Sequence, residues 1–204
     1  MDKKENLLLI NSLPGPRFKM GYIPGSVNIP DGLFAKMTEK LPKDKSKTLI
    51  FYCLGPKCIF SFNSAKKATK LGYTDVYVYR EGIPAWSKKG FPIKVELKLK
   101  KTPMKYITMD KVKDKYNDYY IIDVMYDDHF KKYNFINSIN IPLDFIEQKH
   151  SSFPKDKTIL IIDHSNKLDK IGWWLLSKAG FTNVVGLKGG KLGWLKNGYP
   201  FSKK

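Results

Sequence analysis

The stretch that decides the fold is ENLLLINSLPGPRFKMGYIPGSVNIP at positions 5–30, because its pattern occurs a second time in the chain. It aligns without a gap with NDYYIIDVMYDDHFKKYNFINSINIP at positions 117–142. Further matches follow in the same order: PKDK at 42–45 and 154–157, LGYTDV and AGFTNV at 71–76 and 179–184, and EGIPAWSKKGFP and GGKLGWLKNGYP at 81–92 and 189–200. A repeat of this extent predicts two copies of one structural unit, with one domain over 1–96 and another over 97–204.

Short apolar runs indicate the strands of each copy. They are LLLI at 7–10, TLIFY at 48–52 and DVYVY at 75–79, with counterparts at 119–122, 158–162 and 183–187. Such runs are typical of buried parallel strands. Between the second and third runs, SFNSAKKATKLGY at 61–73 has helical spacing and ends near Gly72, a residue suited to a helix C-terminus. This order predicts two doubly wound α/β domains, each with a parallel sheet flanked by helices.

The two copies differ at their beginnings. The second copy has ITMDKVKDKY at 107–116 before its first main strand, which predicts a short strand and a helix, whereas Met1 aligns inside that helix. One explanation is a naturally shortened first domain. The other is that the sequence begins after a removed leader or at a chosen boundary, and it is favoured because a missing helix leaves one sheet face uncovered.

The composition limits the classes of partner. The formal net charge is +18 and comes almost entirely from lysine, since Arg17 and Arg80 are the only arginines of the chain. A lysine-rich solvated surface explains most of it, and basic residues are not interleaved with aromatics as in single-strand binding grooves, so no nucleic-acid partner is expected. The chain has no apolar run of about 20 residues, so we expect a soluble protein without a membrane span, in either the cytoplasm or the periplasm.

Both cysteines lie in one short segment, FYCLGPKCIFS at 51–61. A zinc site needs four ligands, usually Cys or His, but residues 1–100 contain no histidine and only this cysteine pair. The missing histidine also argues against a Cys–His hydrolase. We therefore expect no metal and no cofactor, and two interpretations stay open: a structural pair of buried cysteines, or a reactive thiol with a neighbour.

The position of Cys53 favours the reactive thiol. It lies where a predicted strand gives way to a loop and then a helix, and helix N-termini favour thiolate over thiol. We predict that the loop 54–60 binds an anion through backbone N–H groups and that the Lys57 ammonium adds positive charge. The residues predicted to form this anion cradle are Leu54, Gly55, Lys57, Cys58, Ile59 and Phe60; Pro56 has no N–H.

Three segments of the first copy together resemble the rhodanese family. They are GYIPGSVNIP at 21–30, LIFYC at 49–53 and LGYTDVYVYREGIPAW at 71–86. The resemblance implies doubly wound domains with five-stranded parallel sheets, and a sulfurtransferase in which Cys53 takes a sulfane sulfur as a persulfide. The donor would be a small anion such as thiosulfate or a polysulfide, and the acceptor a thiol or a protein. Cys53, Gly55, Cys58 and Ser61 match the C-x-G-x-x-C-x-x-S loop of some family members residue by residue.

The chain also departs from the family pattern. Asp163 stands at the nucleophile position of the second copy and cannot carry a persulfide, so that domain is expected to be inactive and to cover the first domain's site. His164 beside it is expected to form a polar surface pair with Asp163. The first loop has about two extra residues, and Asn11-Ser12-Leu13 replaces the Asp and Arg that often follow the family's first strand.

Several alternatives remain at this level. Cys58 is either a resolving thiol or a spectator. Phosphate or arsenate chemistry is less favoured, because those cysteine loops end in an arginine and none lies between Cys53 and the helix. The first domain can also be a non-catalytic persulfide carrier or a protein-binding module. Trp86 is a candidate wall of the Cys53 pocket, although a packed core tryptophan is the favoured explanation for both Trp86 and Trp194.

Overall fold

The computed structural model describes residues 6–99 and 103–202. The chain forms two compact units, Met1–Lys98 and Leu99–Lys204, which we call the first and second unit. Each contains one sheet in which all strand pairs are parallel. None of the helices in the described ranges has the length and apolarity needed to cross a membrane.

The first unit has four strands in the order β2-β1-β3-β4. The strands are β1 (Leu7–Asn11), β2 (Val27–Asn28), β3 (Thr48–Tyr52) and β4 (Val76–Tyr79), and the helices are α1 (Gly15–Lys19), α2 (Phe60–Lys70) and α3 (Gly82–Lys88), with 3-10 turns at Asp31–Lys36 and Thr38–Lys40. From β1 the chain first moves to one edge and then returns to β3 on the other side. The carboxyl ends of β1 and β3, where Asn11 pairs with Tyr52, therefore form the switch point at which ligands of such sheets bind.

The second unit has five strands in the order β5-β9-β8-β6-β7. The strands are β5 (Lys105–Ile107), β6 (Tyr119–Asp123), β7 (Ser138–Asn140), β8 (Thr158–Ile162) and β9 (Val184–Leu187). The helices are α4 (Met109–Val112), α5 (Asp127–Lys132), α6 (Ile146–Lys149), α7 (Asp169–Lys178) and α8 (Gly190–Lys196), with 3-10 turns at Tyr116–Asp118, Leu143–Phe145 and His150–Ser152.

The α/β class and the parallel sheets are confirmed, and the strands predicted from apolar runs form within one residue of their expected ends. The expectation of five strands in each sheet is wrong for the first unit, whose sheet has four strands among the described residues. The physical difference is β5, which pairs with β9 at the edge of the second sheet. In the register of the repeat, the residues equivalent to β5 would fall before Met1.

The two cores are filled differently by their equivalent helices. Helix α2 buries small side chains, and Ile10, Phe34, Leu49 and Phe51 supply most of the apolar volume around them. Helix α7 instead buries Ile171, Leu175 and Leu176. Burying side chains of this size stabilises a fold by about 1.5–3 kcal/mol each. Helix α7 therefore contributes large apolar side chains to its core, whereas in the first unit these come mainly from the sheet and from Phe34.

Candidate active site

Cys53 directly follows the last residue of β3, and its side chain is 1% exposed. The strand ends at the centre of the sheet, so the loop that leads from it to α2 begins at the switch point. The Cys53 carbonyl accepts a hydrogen bond from the Ile83 N–H at 3.1 Å. This contact fixes the loop backbone against the first turn of α3.

The Cys53 sulfur is held among hydrogen-bonding groups. Its Sγ lies 3.2 Å from Ser61 Oγ and 3.4 Å from the Cys58 carbonyl oxygen. A hydrogen bond from the Cys58 thiol has the largest effect on this group, and it lowers the pKa of Cys53 to about 6 although burial acts in the opposite direction. Ser61 and the Gly55 N–H lower the pKa further through hydrogen bonds to the sulfur. This lowered pKa favours the thiolate form of Cys53 at neutral pH.

Cys58 holds the proton of the pair. The hydrogen bond from its thiol to the Cys53 sulfur raises the pKa of Cys58, and burial adds to that rise. Both cysteines are free. The Leu54 and Phe60 N–H groups are directed at Cys58, which favours its thiolate only weakly against those larger effects.

The N–H groups of the loop are thus divided between two sulfurs rather than directed at one. The Gly55 N–H donates to the Cys53 sulfur, and the Leu54 and Phe60 N–H groups donate to the Cys58 sulfur. The Cys58 N–H donates to the Gly55 carbonyl at 2.9 Å. Lys57 is exposed at the loop surface. The anion-binding role of these residues and of Ile59 stays a prediction.

A glycine that the sequence reasoning missed supports the loop from below. Gly82 has φ of +61°, and a Cβ on it would lie 2.3 Å from the Cys53 carbonyl oxygen and 2.6 Å from the Gly55 nitrogen. Only glycine allows this close approach together with the left-handed backbone. The repeat carried the signal, because Gly82 aligns with Gly190, which has φ of +58° and approaches the Asp163 carbonyl in the same way.

Arg17 is the second residue that the sequence reasoning missed. It lies half-buried in α1, the helix that follows β1 at the switch point. Burial lowers the pKa of Arg17, and the negative charge of Cys58 in its ionised form partly offsets that effect, so the two groups are close enough to interact. Within the described residues Arg17 forms no ion pair with a carboxylate. Arg17 lies outside the cysteine loop, in the helix that follows β1.

The repeat gives independent support for the position of Arg17. It aligns with His129 of α5, and the ring of His129 packs 5.1 Å from the ring of His164 in the equivalent loop. The helix after the first strand therefore faces the loop after the central strand in both units. In the first unit the equivalent residue is Arg17, so its guanidinium is expected near the cysteine loop.

In the second unit, Asp163 fills the equivalent loop with its own carboxylate. Its oxygens accept hydrogen bonds from the backbone N–H groups of Asn166 at 2.6 Å, Lys167 at 2.7 Å and Leu168 at 2.6 Å. Asp163 is 1% exposed, so the expected surface pair with His164 is wrong. The carboxylate turns inward because three free N–H groups at the start of α7 satisfy it.

A buried ion pair lies beneath that loop. Lys191 Nζ contacts Asp123 Oδ2 at 2.6 Å, and both side chains are fully buried. Burial raises the pKa of Asp123, and the Lys191 charge counteracts this rise. The first unit has Asn11 and Ile83 at the two equivalent positions, so it has no charge there.

His129 and His164, two of the three histidines of the second unit, form a contact between half-buried rings. The rings of His129 and His164 meet edge to face, and the Nδ1 atoms of both are buried without a hydrogen-bond partner in the described parts of the chain. Burial lowers the pKa of His129 to about 4 and also lowers that of His164. Burial therefore favours the neutral form of both rings.

The two equivalent tryptophans differ in burial. Trp194 is fully buried and packs against Phe135, Tyr116 and Tyr199. Trp86 is half-buried; it contacts Tyr79 and Phe91, and its Nε1–H donates to the Pro92 carbonyl at 2.9 Å. These contacts hold Trp86, in the middle of α3, against β4 and the segment that follows the helix, and a role in the Cys53 pocket stays a prediction.

One protein family and several known proteins are similar to this chain. The rhodanese-like domain family matches residues 1–89 and 108–197. The uncharacterized protein YibN of Escherichia coli K12 is 29% identical over 92 residues, which are 44% of this chain and 62% of YibN. The thiosulfate sulfurtransferase of Pseudomonas aeruginosa has a TM-score of 0.46 at 16% identity, covering 95% of this chain and 40% of that one. A rhodanese-related protein of Thermoplasma volcanium has a TM-score of 0.44 at 26% identity, covering 47% of this chain and 95% of that one.

The chain thus spans less than two thirds of YibN and of the Pseudomonas enzyme. The family match, in contrast, includes the first strand of each unit, the loop after the central strand and the turn that supports that loop. It covers most of the chain in two separate segments. The chain therefore belongs to the rhodanese-like domain family and carries two such domains in tandem.

Proposed function

We propose that the chain is a sulfurtransferase in which Cys53 carries a sulfane sulfur as a persulfide. The observation that carries this proposal is the hydrogen-bonded Cys53 sulfur, whose pKa of about 6 makes it a thiolate at neutral pH. A thiolate is the nucleophilic form of cysteine, and a pKa just below the ambient pH combines ionisation with good nucleophilicity.

With thiosulfate as donor, the Cys53 thiolate attacks the outer sulfur. The bond between the two donor sulfurs breaks, its electron pair leaves with sulfite, and a new S–S bond forms on Cys53. A nucleophilic acceptor then attacks the outer sulfur of the persulfide, and the bonding pair returns to Cys53 Sγ. Each step moves a sulfur atom between nucleophiles, so the cycle consumes neither oxidant nor reductant.

An anionic donor fits the charges around the loop. Arg17 approaches the loop from α1 without a carboxylate partner in the described ranges, and Lys57 is exposed on the loop itself. A guanidinium binds sulfonate or polysulfide anions through several N–H groups at once. We propose that Arg17 binds the donor and that the Gly55, Leu54 and Phe60 N–H groups stabilise negative charge on the sulfurs.

Cys58 has two proposed roles. In the resting site it donates the hydrogen bond that favours the Cys53 thiolate. In the loaded site it is a candidate resolving thiol: it would attack Cys53 Sγ, form a disulfide and release hydrosulfide, after which an external thiol would reduce the disulfide. An intact-protein mass that lacks two hydrogens after the loaded protein stands without acceptor would support the second role, and a mass that keeps the extra sulfur would exclude it.

The second unit is proposed to be non-catalytic. Asp163 occupies the position of the nucleophile, and its carboxylate already accepts the three N–H groups that would otherwise face a bound anion. A donor anion would have to displace an internal charge there. The unit therefore offers neither a thiol nor a free anion site in this loop.

Turnover tests the proposal directly. The assay follows thiocyanate produced from thiosulfate and cyanide, with Cys53→Ser as the test variant and Cys58→Ser as the matched control. We expect turnover in the wild-type protein, loss in Cys53→Ser and retention in Cys58→Ser. Uptake of one sulfur without turnover would favour a persulfide carrier, and hydrolysis of an aryl phosphate would favour oxyanion chemistry.

A further inference from the structure

Helix α2 has an inverted distribution of side chains. Its buried residues are Ser61, Ser64, Ala65 and Ala68. Phe62, in the first turn of α2, is 53% exposed, and Ile59, immediately before the helix, is 63% exposed. Ile59 is the most exposed large hydrophobic side chain of the described residues. A surface helix normally turns its large apolar residues toward the core, so this pair is unpartnered.

The exposed pair lies at the edge of the cysteine loop. Ile59 follows Cys58, and Phe62 follows Ser61, whose Oγ is 3.2 Å from Cys53 Sγ. Residues three apart at the start of a helix lie on the same side, so Ile59 and Phe62 form one apolar surface beside the loop. Anything that covers this surface is adjacent to the proposed nucleophile.

The equivalent helix of the second unit does not have this surface. When α2 and α7 are aligned through Gly72 and Gly180, Ile59 falls on Lys167 and Phe62 on Lys170, and both lysines are exposed. The apolar surface thus occurs in the unit that has the thiol and is replaced by charge in the unit that lacks it. The packing of the fold does not require it.

The chain segment that carries the surface is basic, and the Asp31 carboxylate that packs against α2 is buried and paired with Lys67. No Asp or Glu occurs between Ser46 and Thr74, whereas this segment contains the lysines Lys47, Lys57, Lys66, Lys67 and Lys70. Lys66 Nζ lies 4.5 Å from the centre of the Phe62 ring, and Lys57 is exposed on the loop side. An apolar pair between two ammonium groups is complementary to an apolar residue within an acidic surface.

We propose that Ile59 and Phe62, flanked by Lys57 and Lys66, form the docking surface for an acidic protein that presents a cysteine thiol as the sulfur acceptor. This inference rests on the proposed function of Cys53. A small thiol needs no exposed apolar surface, whereas a protein needs one to hold its cysteine at a sulfur that is 1% exposed. A nucleic acid fits the lysines but does not supply the thiol.

The transfer balances without another reagent. The acceptor thiol attacks the outer sulfur of the Cys53 persulfide, the bond from that sulfur to Cys53 breaks, and its electron pair stays on Cys53 Sγ. The acceptor keeps the sulfur as a new persulfide together with the thiol proton. Docking accelerates this step by holding the two sulfurs together.

The test measures how fast synthetic cysteine peptides discharge the loaded protein. Polysulfide loads Cys53, excess donor is removed, and intact mass follows the loss of one sulfur in the presence of each peptide. The first peptide has glutamates and a leucine–phenylalanine pair around its cysteine. The second replaces the glutamates by lysines, and the third replaces the apolar pair by serines.

We expect the acidic apolar peptide to discharge the protein about 10-fold faster than either of the others, with a smaller advantage at high salt. Phe62→Ser and Lys66→Glu should each remove most of that advantage. Both should leave loading by polysulfide and discharge by dithiothreitol unchanged, because neither residue belongs to the proposed catalytic or donor-binding groups. Leu71→Ser, at an equally apolar position that is 45% exposed at the other end of α2, is the control and should have no effect.

Equal rates with all three peptides, or an advantage that survives in Phe62→Ser, would overturn the docking surface and leave the sulfurtransferase proposal intact. Protection of the persulfide by a single-stranded oligonucleotide at peptide concentrations would also overturn it in favour of a nucleic-acid surface. A wild-type protein that does not load at all would instead contradict the proposed function. Normal loading of each variant shows that it is folded.

Discussion

The loop after β3 in the first unit and the loop after β8 in the second are supported by the same backbone contact. They differ in the side chain that the loop N–H groups face, which is a cysteine in the first unit and an aspartate in the second. Each begins with a carbonyl that accepts an N–H from the residue after a left-handed glycine: Ile83 donates to Cys53 at 3.1 Å, and Lys191 donates to Asp163 at 2.9 Å. In one loop the N–H groups face two thiols, and in the other they are occupied by a carboxylate. The scaffold of the loop is therefore separable from its chemistry.

The charged and polar groups around the two loops also differ between the units. The second unit has the buried Asp123–Lys191 pair and two half-buried histidines that contact each other. The first unit has an uncharged position beneath the loop and the half-buried Arg17 beside it. The second unit thus uses its polar groups for internal pairing, whereas the first leaves charge available for a ligand.

The largest effect is expected from breaking the internal pairing of the second unit. Lys191→Ile leaves the Asp123 carboxylate buried without its partner and should lower the free energy of unfolding by about 3–5 kcal/mol. The double variant Asp123→Asn with Lys191→Ile reproduces the pair found in the first unit and should recover most of that loss. Urea unfolding monitored by tryptophan fluorescence measures both. A double variant as unstable as the single one would contradict the equivalence of the two positions.

A second test concerns the charge beside the cysteine loop. Arg17→Met removes a charge-assisted contact to an anionic donor and should slow loading by thiosulfate about 10- to 100-fold, as expected for the loss of about 1.5–3 kcal/mol. The loading rate of Arg17→Lys should lie between those of Arg17→Met and the wild-type protein. His129→Met, at the equivalent position, is the matched control. The neutral reagent iodoacetamide should modify Cys53 at a similar rate in Arg17→Met and wild type, and equal thiosulfate loading in all variants would exclude a donor-binding role for Arg17.

The smallest expected effect is a shift in pH dependence. Because the pKa of Cys53 is lowered to about 6, its thiolate fraction, and with it the rate of alkylation by iodoacetamide, should rise with pH through about 6 and change little above 7. Ser61→Ala and Cys58→Ala each remove a hydrogen bond to the sulfur, so both should move the midpoint to higher pH. Ser46→Ala, whose hydroxyl donates to Asp44 away from the loop, should leave it in place. A wild-type midpoint near that of a free thiol would contradict the hydrogen-bonded thiolate.

Much of the fold was predictable because the repeat compares the chain with itself. Apolar runs at equivalent positions predict the strands, and the strand-to-helix change at Cys53 places it at the carboxyl edge of the sheet, as observed. The approach of Arg17 was not predictable from the loop, because the contact joins segments that are distant in sequence. The sequence indicates the position of Arg17 only through its alignment with His129. That alignment is informative only once the structure shows that the His129 ring contacts the His164 ring in the equivalent loop.

The contents of the two loops were the hardest part to predict. Asp163 was expected to be a surface group, and its inward turn depends on three N–H groups whose directions are set by the start of α7. The division of N–H groups between Cys53 and Cys58 includes Gly55, which has a φ of +112°. A glycine can adopt this φ, but the presence of a glycine does not predict it. Loop geometry of this kind follows from tertiary contacts rather than from local pattern.

The central claim is that Cys53, and not its counterpart position or its neighbour, takes up a sulfane sulfur. Intact mass after incubation with polysulfide and removal of excess donor tests it in four proteins: wild type, Cys53→Ala, Cys58→Ala and Asp163→Ala. The account predicts a gain of one sulfur in wild type, Cys58→Ala and Asp163→Ala, and none in Cys53→Ala. A sulfur that persists in Cys53→Ala, or no gain in the wild-type protein, would contradict it.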